Sequence, residues 1–561
     1  MVRDNIEAAI EEALAALGAP QVPFVVERPA EMEHGDYATN AALVAAKILK
    51  KNPRDVAEQL KEKLVSQQKE KVDFAPLGSS QRSQNQLFLS AVEKIEVAGV
   101  GFINFTLAGA VVKKIVHEAH EAGWGSGNSK SGKLVLMEYT SPNLFKPLHI
   151  GNLVGNILGE SIARLLEASG ATVKRLNYPS DIGLSVAKGV WGLWKNNLNP
   201  SDIAELGKAY VLGNAAYDND AEAKKEIEDI NKALYENSNP AWAELRRVGI
   251  ETSRAHLDDL CKKLGTTFDK EFFESQAAPV GTELVLAHPE VFEKSDGATV
   301  YKGEKDGLHT RVFLSSKGLP TYEAKDLGLL KLKLEAYPNF DMSITDTGVE
   351  QQEYFKILYT VARRIFPEVG GKELVHTMHG TLKLTTGKMS SRLGNIITGE
   401  SLIADLTEEA RGRQDVAIGA IKYAVLRSGS DKNIIFDPEK SLSLEGDSGP
   451  YVQYALVRAR AVLRKASEAE EVDAESAEPS PLERLLIHFP EVVERAASEL
   501  EPHYVVTYIT ELASDFNSWY ASERFIVDGK VAKRTVAVVK AVENTLAQGL
   551  KVLGIPAPEE M

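Results

Sequence analysis

The sequence predicts a multidomain α/β protein in which a parallel-sheet domain lies between an α+β domain and an all-helical domain. Three observations predict this fold class. At 561 residues the chain is too long for a single hydrophobic core. A strand, a helix and a second strand follow one another within 134–177, which is the pattern of a βαβ unit. From about residue 402 onward the apolar pattern is almost entirely helical.

The first 108 residues are expected to form the small α+β domain. Apolar residues at helical spacing predict helices over 1–18, with Gly18 as a cap, and over 40–50. The pair Asn52-Pro53 is typical of the start of a third helix. Segment 92–107 is rich in β-formers, with glycines placed for turns.

Residues 109–400 are expected to form a Rossmann-type parallel-sheet domain with a largely helical insertion at about 184–300. Residues 401–440 then form a helical connector and 441–561 a helical bundle, interrupted by an acidic, solvated linker over 467–483. The other elements expected are helix 109–123, strand 134–140, helix 152–169, strands 171–177, 310–314 and 341–346, and a loop over 376–400.

The composition limits the possible compartments and cofactors. The chain is 43% apolar and 26% charged, which is ordinary for a globular protein, and no window approaches 18 uninterrupted apolar residues. The acidic, amphipathic start is unlike a secretory signal. The single cysteine, Cys261, excludes a disulfide framework and a cysteine-rich zinc site. We therefore expect a cytoplasmic protein without structural zinc and without a membrane span.

A phosphate-binding P-loop is excluded first. Residues 127–133, GNSKSGK, have its spacing, but that loop follows a strand and precedes a helix. Here Leu134 opens a strand instead, so a flexible connector is the better interpretation.

A better candidate lies between the first strand and its helix. Residues 141–152, SPNLFKPLHIGN, place His149, Gly151 and Asn152 at a helix start, where free N–H groups and the helix dipole favour an anion. His149 can donate to a phosphate, and Gly151 admits a flat base. Alone, this pattern is equally typical of a turn with a surface histidine.

A second basic motif changes that balance. Residues 379–395, HGTLKLTTGKMSSRLGN, carry Lys388 and Arg392, donors suited to a leaving pyrophosphate. A solvated basic loop is the alternative for this segment alone. Two such motifs in this order, one on a βα turn and one in a late loop, favour a phosphate-binding site over two unrelated surface loops.

The two motifs resemble the signatures of class I aminoacyl-tRNA synthetases, and the detail resembles the arginyl-tRNA synthetases. The resemblance covers nearly the whole chain, with 184–270 and 467–483 least matched. It rests on SPNLFKPLHIGN, NYPSDIG (177–183), LPTYEAKDLG (319–328), EQQEYF (350–355), GKMSSRLGN (387–395), and on segments 34–60, 99–107, 449–466 and 550–561.

The resemblance implies that arginine and ATP, with Mg²⁺, form arginyl-adenylate, and that the arginyl group passes to the 3′-terminal ribose of tRNA(Arg). Asn152 stands where the family usually has histidine, and Arg392 where it usually has lysine. The ATP-binding residues implied are His149, Gly151, Asn152, Lys388, Ser390 and Ser391, and the catalytic residues are His149, Asn152, Lys388, Arg392 and Lys146.

The resemblance also implies an arginine pocket. A guanidinium and an α-amino group require carboxylate and amide oxygens, and a neutral amino acid would leave such carboxylates unpaired, so no editing domain is expected. Gln351 and Gln352 are adjacent, and the sequence leaves open which of the two belongs to the pocket. The pocket residues implied are Glu138, Ser141, Asn143, Tyr322, Asp326 and Gln351.

A partner tRNA is expected despite the net charge of −15, because binding depends on local patches. The protein is expected to act as a monomer. Core packing or a solvated helix face is the alternative for each tRNA candidate. The candidates are Asn40, Arg458, Arg464, Tyr451 and Tyr454.

Three other functions are compatible with parts of the sequence. A nucleotidyltransferase acting on a small molecule can share the His-x-Gly helix start but does not need the helical C-terminal domain. A non-enzymatic tRNA-binding paralogue is suggested by Asn152, although Lys388 and the complete pocket set argue against it. A cysteine-specific synthetase would need zinc ligands that Cys261 alone does not supply.

Overall fold

The chain folds into two compact units. The computed structural model describes residues 2–70, 91–146, 148, 150–385, 398–473 and 478–561. The first unit contains residues 1–125, 455–492 and 508–548, and the second contains 126–454, 493–507 and 549–561. Within the described residues, no helix has the length and apolar character needed to cross a membrane.

The N-terminal residues form an antiparallel sheet with three helices. The elements are α1 (Val2–Ala16), β1 (Val26–Glu27), β2 (Tyr37–Thr39), α2 (Ala41–Leu49), α3 (Pro53–Glu70), β3 (Val92–Ala98) and β4 (Phe102–Leu107). The strand order is β1-β2-β4-β3. Gly18 follows α1 with φ +85°, as its predicted capping role requires, and Asn52 Oδ1 accepts from Arg54 N at the start of α3. The α+β pattern predicted for this part is therefore confirmed.

The second unit contains the predicted parallel sheet, which follows helix α4 (Gly109–Glu118). The five strands have the order β12-β11-β5-β6-β7, and all neighbouring pairs are parallel. Helix α5 (Ile150–Ala168) connects β5 to β6 and is buried along most of its length. The strands are β5 (Leu134–Glu138), β6 (Thr172–Asn177), β7 (Lys270–Glu271), β11 (Met342–Gly348) and β12 (Glu373–His379).

The region between β6 and β11 is mainly helical. Asp202, Asp220 and Asn239 cap three of its helices, because each side chain accepts hydrogen bonds from the first turn. The elements are α6 (Leu184–Asn196), α7 (Ile203–Asn219), α8 (Ala221–Glu236), α9 (Pro240–Leu264), α10 (Glu274–Ala287), β8 (Glu293–Ser295), β9 (Ala298–Tyr301), β10 (Arg311–Leu314) and α11 (Tyr322–Ala336).

The strand predicted over 310–314 is confirmed as Arg311–Leu314. It belongs to a separate antiparallel sheet with the order β10-β9-β8. The expected insertion, 184–300, contains Lys270–Glu271, which pairs with β6 at the edge of the parallel sheet. A two-residue strand is too short to give a readable periodicity.

The loop predicted over 376–400 was also partly wrong. Strand β12 extends to His379, and β13 (Leu382–Leu384) pairs in parallel with β14 (Ile434–Phe436). The part of the loop over 386–397 lies outside the described residues. The helices around these strands are α12 (Gln352–Ile365), α13 (Gly399–Glu409) and α14 (Gln414–Leu426).

The C-terminal part is helical, as predicted, but it also contains a small sheet with the order β15-β17-β16. These strands are two or three residues long, which is why the apolar pattern did not show them. The elements are α15 (Pro438–Ser441), α16 (Gly449–Ala466), β15 (Glu470–Val472), α17 (Pro481–Leu486), α18 (Phe489–Glu499), α19 (His503–Ser522), β16 (Ile526–Val527), β17 (Lys530–Ala532) and α20 (Lys533–Val552).

Candidate active site

An acidic cavity of about 490 Å³ opens in the second unit where β5 and β11 end. Ligands of open parallel sheets bind at this edge. Among the described residues, its lining contains one basic side chain, that of Arg311, and a larger set of acidic ones. These are Glu138, Glu274, Glu323, Asp326 and Glu350.

All six residues predicted for the arginine pocket line this cavity, although they come from three separate segments of the chain. Gln351 is in the lining and Gln352 is not, which separates two residues that the sequence left as alternatives. Tyr322 is 61% exposed and lies at the start of α11. The roles of these residues in binding remain predictions. The six are Glu138, Ser141, Asn143, Tyr322, Asp326 and Gln351.

A strained turn after β5 carries Ser141 and Asn143 into the lining. Thr140, Ser141 and Phe145 have φ values of +73°, +35° and +67°, in the region that non-glycine residues rarely adopt. Backbone contacts hold the turn, because Ser141 N donates to Asn177 Oδ1 over 3.2 Å and Leu144 N donates to Ser180 O over 3.1 Å.

Asp326 is the acid in the cavity whose ionisation is most perturbed. It lies on the second turn of α11, and Tyr354 donates a hydrogen bond to its Oδ2. Burial raises the pKa of Asp326 to about 7, with further increases from Glu138 and Glu274. The hydrogen bond from Tyr354 and the charge of Lys333 act in the opposite direction. This carboxyl group therefore titrates near neutral pH.

Glu138, the last residue of β5, forms a buried ion pair with Lys333 of α11. Each residue is 4% exposed. Lys333 Nζ also lies 3.4 Å from Ser343 Oγ on the neighbouring strand. Sequence reasoning missed Lys333, because a lysine in a helix is usually solvated and no local motif marks a partner this far away.

Other acids in the lining also have cationic partners. Lys325 Nζ lies 2.5 Å from Glu274 Oε2, with both residues 5% exposed, and Arg311 lies 3.7 Å from Glu323. Asp326 and the exposed Glu350 have no Lys, Arg or His nitrogen within 4 Å in the described part of the chain. Asp326 is thus the shielded carboxyl group that this part of the cavity leaves uncompensated.

The expected nucleotide-binding residues are only partly described. Gly151 and Asn152 lie in the first turn of α5. Lys146 Nζ lies 4.9 Å from the ring centre of Tyr210, so its ammonium contacts an aromatic face of the insertion. His149, Lys388, Ser390, Ser391 and Arg392 lie outside the described residues.

The described residues that flank the two signatures are in contact. Gly399 N donates to Leu148 O over 2.9 Å. A Cβ at Gly399 would lie 2.9 Å from Leu153 Cγ, so the start of α13 packs directly on the first turns of α5. The segment that follows the second motif therefore lies beside the first motif.

A histidine–carboxylate pair lies beside α5. His379 Nδ1 is 2.9 Å from Asp346 Oδ2, and a Cβ at Gly155 would lie 3.1 Å from the His379 ring. Burial opposes protonation, but the Asp346 carboxylate outweighs it and raises the pKa of His379. Asp346 has no local motif, so the sequence did not indicate this pair.

The tRNA candidates occupy different surroundings. Asn40 Oδ1 accepts from Val25 N over 3.0 Å at the start of α2. Arg458 donates to Asn517 Oδ1 over 2.6 Å and lies over the Tyr520 ring, whereas Arg464 is exposed. Tyr451 and Tyr454 lie on α16 and are partly buried. Their roles in RNA binding remain predictions.

Three family models match successive parts of the chain. The model described as "tRNA synthetases class I (R), catalytic domain" matches residues 112–420. "Arginyl tRNA synthetase N terminal domain" matches 3–78, and "DALR anticodon binding domain" matches 452–561.

Individual proteins are similar over similar lengths. An "Arginine--tRNA ligase" of Bacteroides fragilis is 26% identical, with both chains covered fully, and one of Porphyromonas gingivalis is 30% identical over 84% of this chain and 88% of its own. The solved arginyl-tRNA synthetase of Thermus thermophilus superposes with a TM-score of 0.77 at 26% identity, with both chains covered fully.

Proposed function

The chain belongs to the arginyl-tRNA synthetase family, and on that premise we propose that it activates arginine with ATP and transfers the arginyl group to the 3′-terminal ribose of tRNA(Arg). It is an arginine–tRNA ligase, as the sequence motifs predicted. Mg²⁺ enters with ATP as part of the substrate. We also propose that the enzyme works in the cytoplasm as a monomer.

The acidic cavity is the observation that supports this substrate. Arginine presents a guanidinium and an α-ammonium group, and carboxylates dominate the cavity lining. Asp326 lies where its negative charge is shielded from water, so a cation in the cavity gains more from it than at an exposed site. We assign the guanidinium to Asp326 and Glu138, and the α-amino group to Asn143 and Gln351.

The chemistry that we propose depends on positioning and charge stabilisation more than on a general base. A carboxylate oxygen of arginine attacks the α-phosphorus of ATP, a P–O bond forms, and the bond to pyrophosphate breaks. A ribose hydroxyl of the tRNA then attacks the activated carbonyl, the bond to AMP breaks, and the hydroxyl proton leaves with the AMP phosphate. In this proposal the N-terminus of α5, which begins at Ile150, stabilises the charge on the α-phosphate. We assign this work to His149, Gly151 and Asn152, and the leaving pyrophosphate to Lys388 and Arg392, with Ser390, Ser391 and Lys146 in support.

We propose domains at 1–108 for the tRNA elbow, 109–400 for catalysis, 401–440 as a connector and 441–561 for the anticodon. The matches to residues 3–78, 112–420 and 452–561 support this division without fixing its boundaries. Asn40 on the first domain and the candidates on α16 are the corresponding RNA contacts.

Charging assays test the function and the pocket together. Purified protein should charge bulk tRNA with arginine alone among the twenty amino acids. Asp326→Ala should lower kcat/KM for arginine by about 100-fold or more, because a charge-assisted contact is lost in a shielded site. Glu335→Ala is the matched control, since Glu335 lies on the same helix with its side chain 57% exposed.

The possible outcomes separate the candidate functions. Binding of tRNA without charging would favour a tRNA-binding paralogue, and adenylation independent of arginine would favour a nucleotidyltransferase. Near-normal charging by Asp326→Ala would refute the pocket assignment alone.

Adenylation should depend on Lys388. Lys388→Ala should lower the rate constant of pyrophosphate exchange more than the affinity for arginine, because we place this lysine on the leaving group. An unchanged rate constant would contradict that role.

A further inference from the structure

Lys333 is a buried cation on the same face of α11 as Asp326. The two residues are seven positions apart, which is about two helical turns. Together with Glu138 they line a small cavity of about 30 Å³ beside the arginine pocket. Glu138 and Asp326 therefore face both cavities, whereas Lys333 lines only the small one.

The charge balance of this group is unusual for a protein interior. Two carboxylates, from Glu138 and Asp326, and one ammonium, from Lys333, share a shielded space. Lys333 forms its ion pair with Glu138, so the group carries one net negative charge when all three residues are ionised. Isolated buried charges are expensive, and this excess charge is favourable only when a ligand supplies one positive charge.

We propose that Lys333 is a positioning residue for arginine recognition: it holds Glu138 in place and cancels its charge, so that of the two carboxylates that line both cavities only that of Asp326 remains uncompensated and meets the single positive charge of the guanidinium. This inference rests on the proposed function, since it concerns how that same pocket selects its substrate. Lys333 need not touch arginine, because its contact is with Glu138 from the side of the small cavity.

Removing the ammonium should change the protonation of the pocket. With Lys333 absent, two carboxylates line the small cavity without a counter-charge, and such a pair holds its proton to a higher pH than in the wild type. Arginine then has to displace that proton, so its binding weakens most at low pH. If Glu138 is also made neutral, the single negative charge returns and the proton is no longer needed.

Several charged and titratable groups of the described residues surround Asp326, among them Tyr322 on the same helix and Tyr359 on α12. Glu138 on β5, Glu274 on α10 and the charge of Lys333 act on the pKa of Asp326, and Tyr354 on α12 donates its hydrogen bond to it. Tyr178, which follows β6, also lies near enough for mutual influence. Of these groups, only Lys333 and Tyr354 lower the pKa of Asp326.

The test uses the full-length protein and four variants: Lys333→Met, Lys333→Arg, Glu138→Gln and the double variant Lys333→Met/Glu138→Gln. For each, the KM for arginine and kcat are measured in tRNA charging between pH 6 and 9, and thermal unfolding shows which variants are folded. Calorimetric titration with arginine, and with its neutral isostere citrulline, gives binding without chemistry.

The expected results follow from charge alone. Lys333→Met should raise the KM for arginine by about 10-fold or more at pH 7 with a smaller change in kcat. The decrease of this KM with rising pH should occur at a higher pH than in the wild type. Lys333→Arg should restore the wild-type profile. The double variant should recover the wild-type pH dependence and bind arginine more tightly than Lys333→Met alone.

Two outcomes would overturn the proposal. One is a Lys333→Met variant that folds and keeps the wild-type dependence of KM on pH. The other is a double variant whose loss of arginine affinity is the sum of the losses in the two single variants, which would indicate that Lys333 acts through packing. If the wild-type protein does not charge tRNA with arginine, the proposed function fails instead, and the calorimetric pH dependence still tests the charge balance.

Discussion

Asp326 shows how a residue suited to binding can be unfavourable for folding. Its carboxyl group is shielded, and Glu138 and Glu274 add to the cost of ionising it. In the unfolded chain the same group has an ordinary pKa near 4. Between that value and its folded pKa of about 7, the folded state holds a proton that the unfolded state has lost, so stability falls as the pH rises through this interval.

Asp326→Asn should therefore be more stable than the wild type at pH 8, and this difference should be much smaller at pH 4 to 5. The amide cannot ionise, so the pH-dependent loss of at most about 4 kcal/mol disappears. Thermal unfolding without arginine measures this at both pH values, while charging shows the loss of function. A stability difference that is the same at pH 5 and pH 8 would contradict the assignment; Glu335→Gln serves as the exposed control.

The pocket also shows which residues a sequence can predict. Five of the six predicted residues lie in motifs that carry the family resemblance, Glu138 ends the strand before the first of them, and all six line one cavity. Lys333, Tyr354 and Glu274 were not predicted, because their importance comes from long-range pairing. Lysine, tyrosine and glutamate at such spacings are usually solvated or packed, so only the fold identifies their partners.

At the scale of elements, two glycines bring α10 and α11 into close contact behind the pocket. A Cβ at Gly281 would lie 1.7 Å from Ala324 O, and one at Gly328 would lie 2.1 Å from Ala277 O. Real side chains do not tolerate such distances, so alanine at either position has to separate the helices. Asp326 and Tyr322 lie within two turns of Gly328 and would move with the helix.

Gly328→Ala should consequently reduce both stability and arginine use. Overpacking of this kind costs roughly 1–3 kcal/mol, and a displaced pocket should lower kcat/KM for arginine about 10-fold. Gly371→Ala is the matched control, since nothing lies within 4 Å of a Cβ there. If the Gly328 variant binds arginine normally although it is less stable, the helix contact does not set the pocket geometry.

Element length explains which parts of the fold could be predicted. Long helices such as Pro53–Glu70 and the βαβ unit around α5 have enough residues for a clear periodicity. Strands of two or three residues, such as Leu382–Leu384 and Ile434–Phe436, do not, and they pair with each other across a long stretch of chain. Their existence depends on tertiary pairing, so the predicted loop was partly wrong.

At the scale of the whole molecule, the first unit joins distant parts of the chain through partly buried polar contacts. Arg28 forms two hydrogen bonds with Glu511, at 2.8 and 2.6 Å. Tyr37 donates to Glu491 Oε1 over 2.8 Å. The N-terminal residues and the later helices of this unit are therefore expected to unfold together, because neither side satisfies its buried polar groups alone.

The pair formed by Asp36 and Arg484 tests this coupling. Asp36 is 2% exposed and accepts from Arg484 Nη1 and from Leu107 N, each over 2.6 Å. Arg484→Met should cost about 3 kcal/mol or more, because it leaves a buried carboxylate without its charged partner. Asp36→Asn in the same chain should recover part of that loss, since the amide needs no counter-charge.

Thermal unfolding and limited proteolysis of the full chain measure the effect. Lys533→Met is the control, since its ion pair with Asp473 is exposed on both sides and should contribute little. Cleavage should increase within residues 1–108 in Arg484→Met but not in the control. The KM for arginine should stay unchanged, because the arginine pocket lies in the other unit. Equal stability of Arg484→Met and the wild type would show that the N-terminal fold does not depend on this contact, whereas recovery in the double variant would establish that the cost is electrostatic.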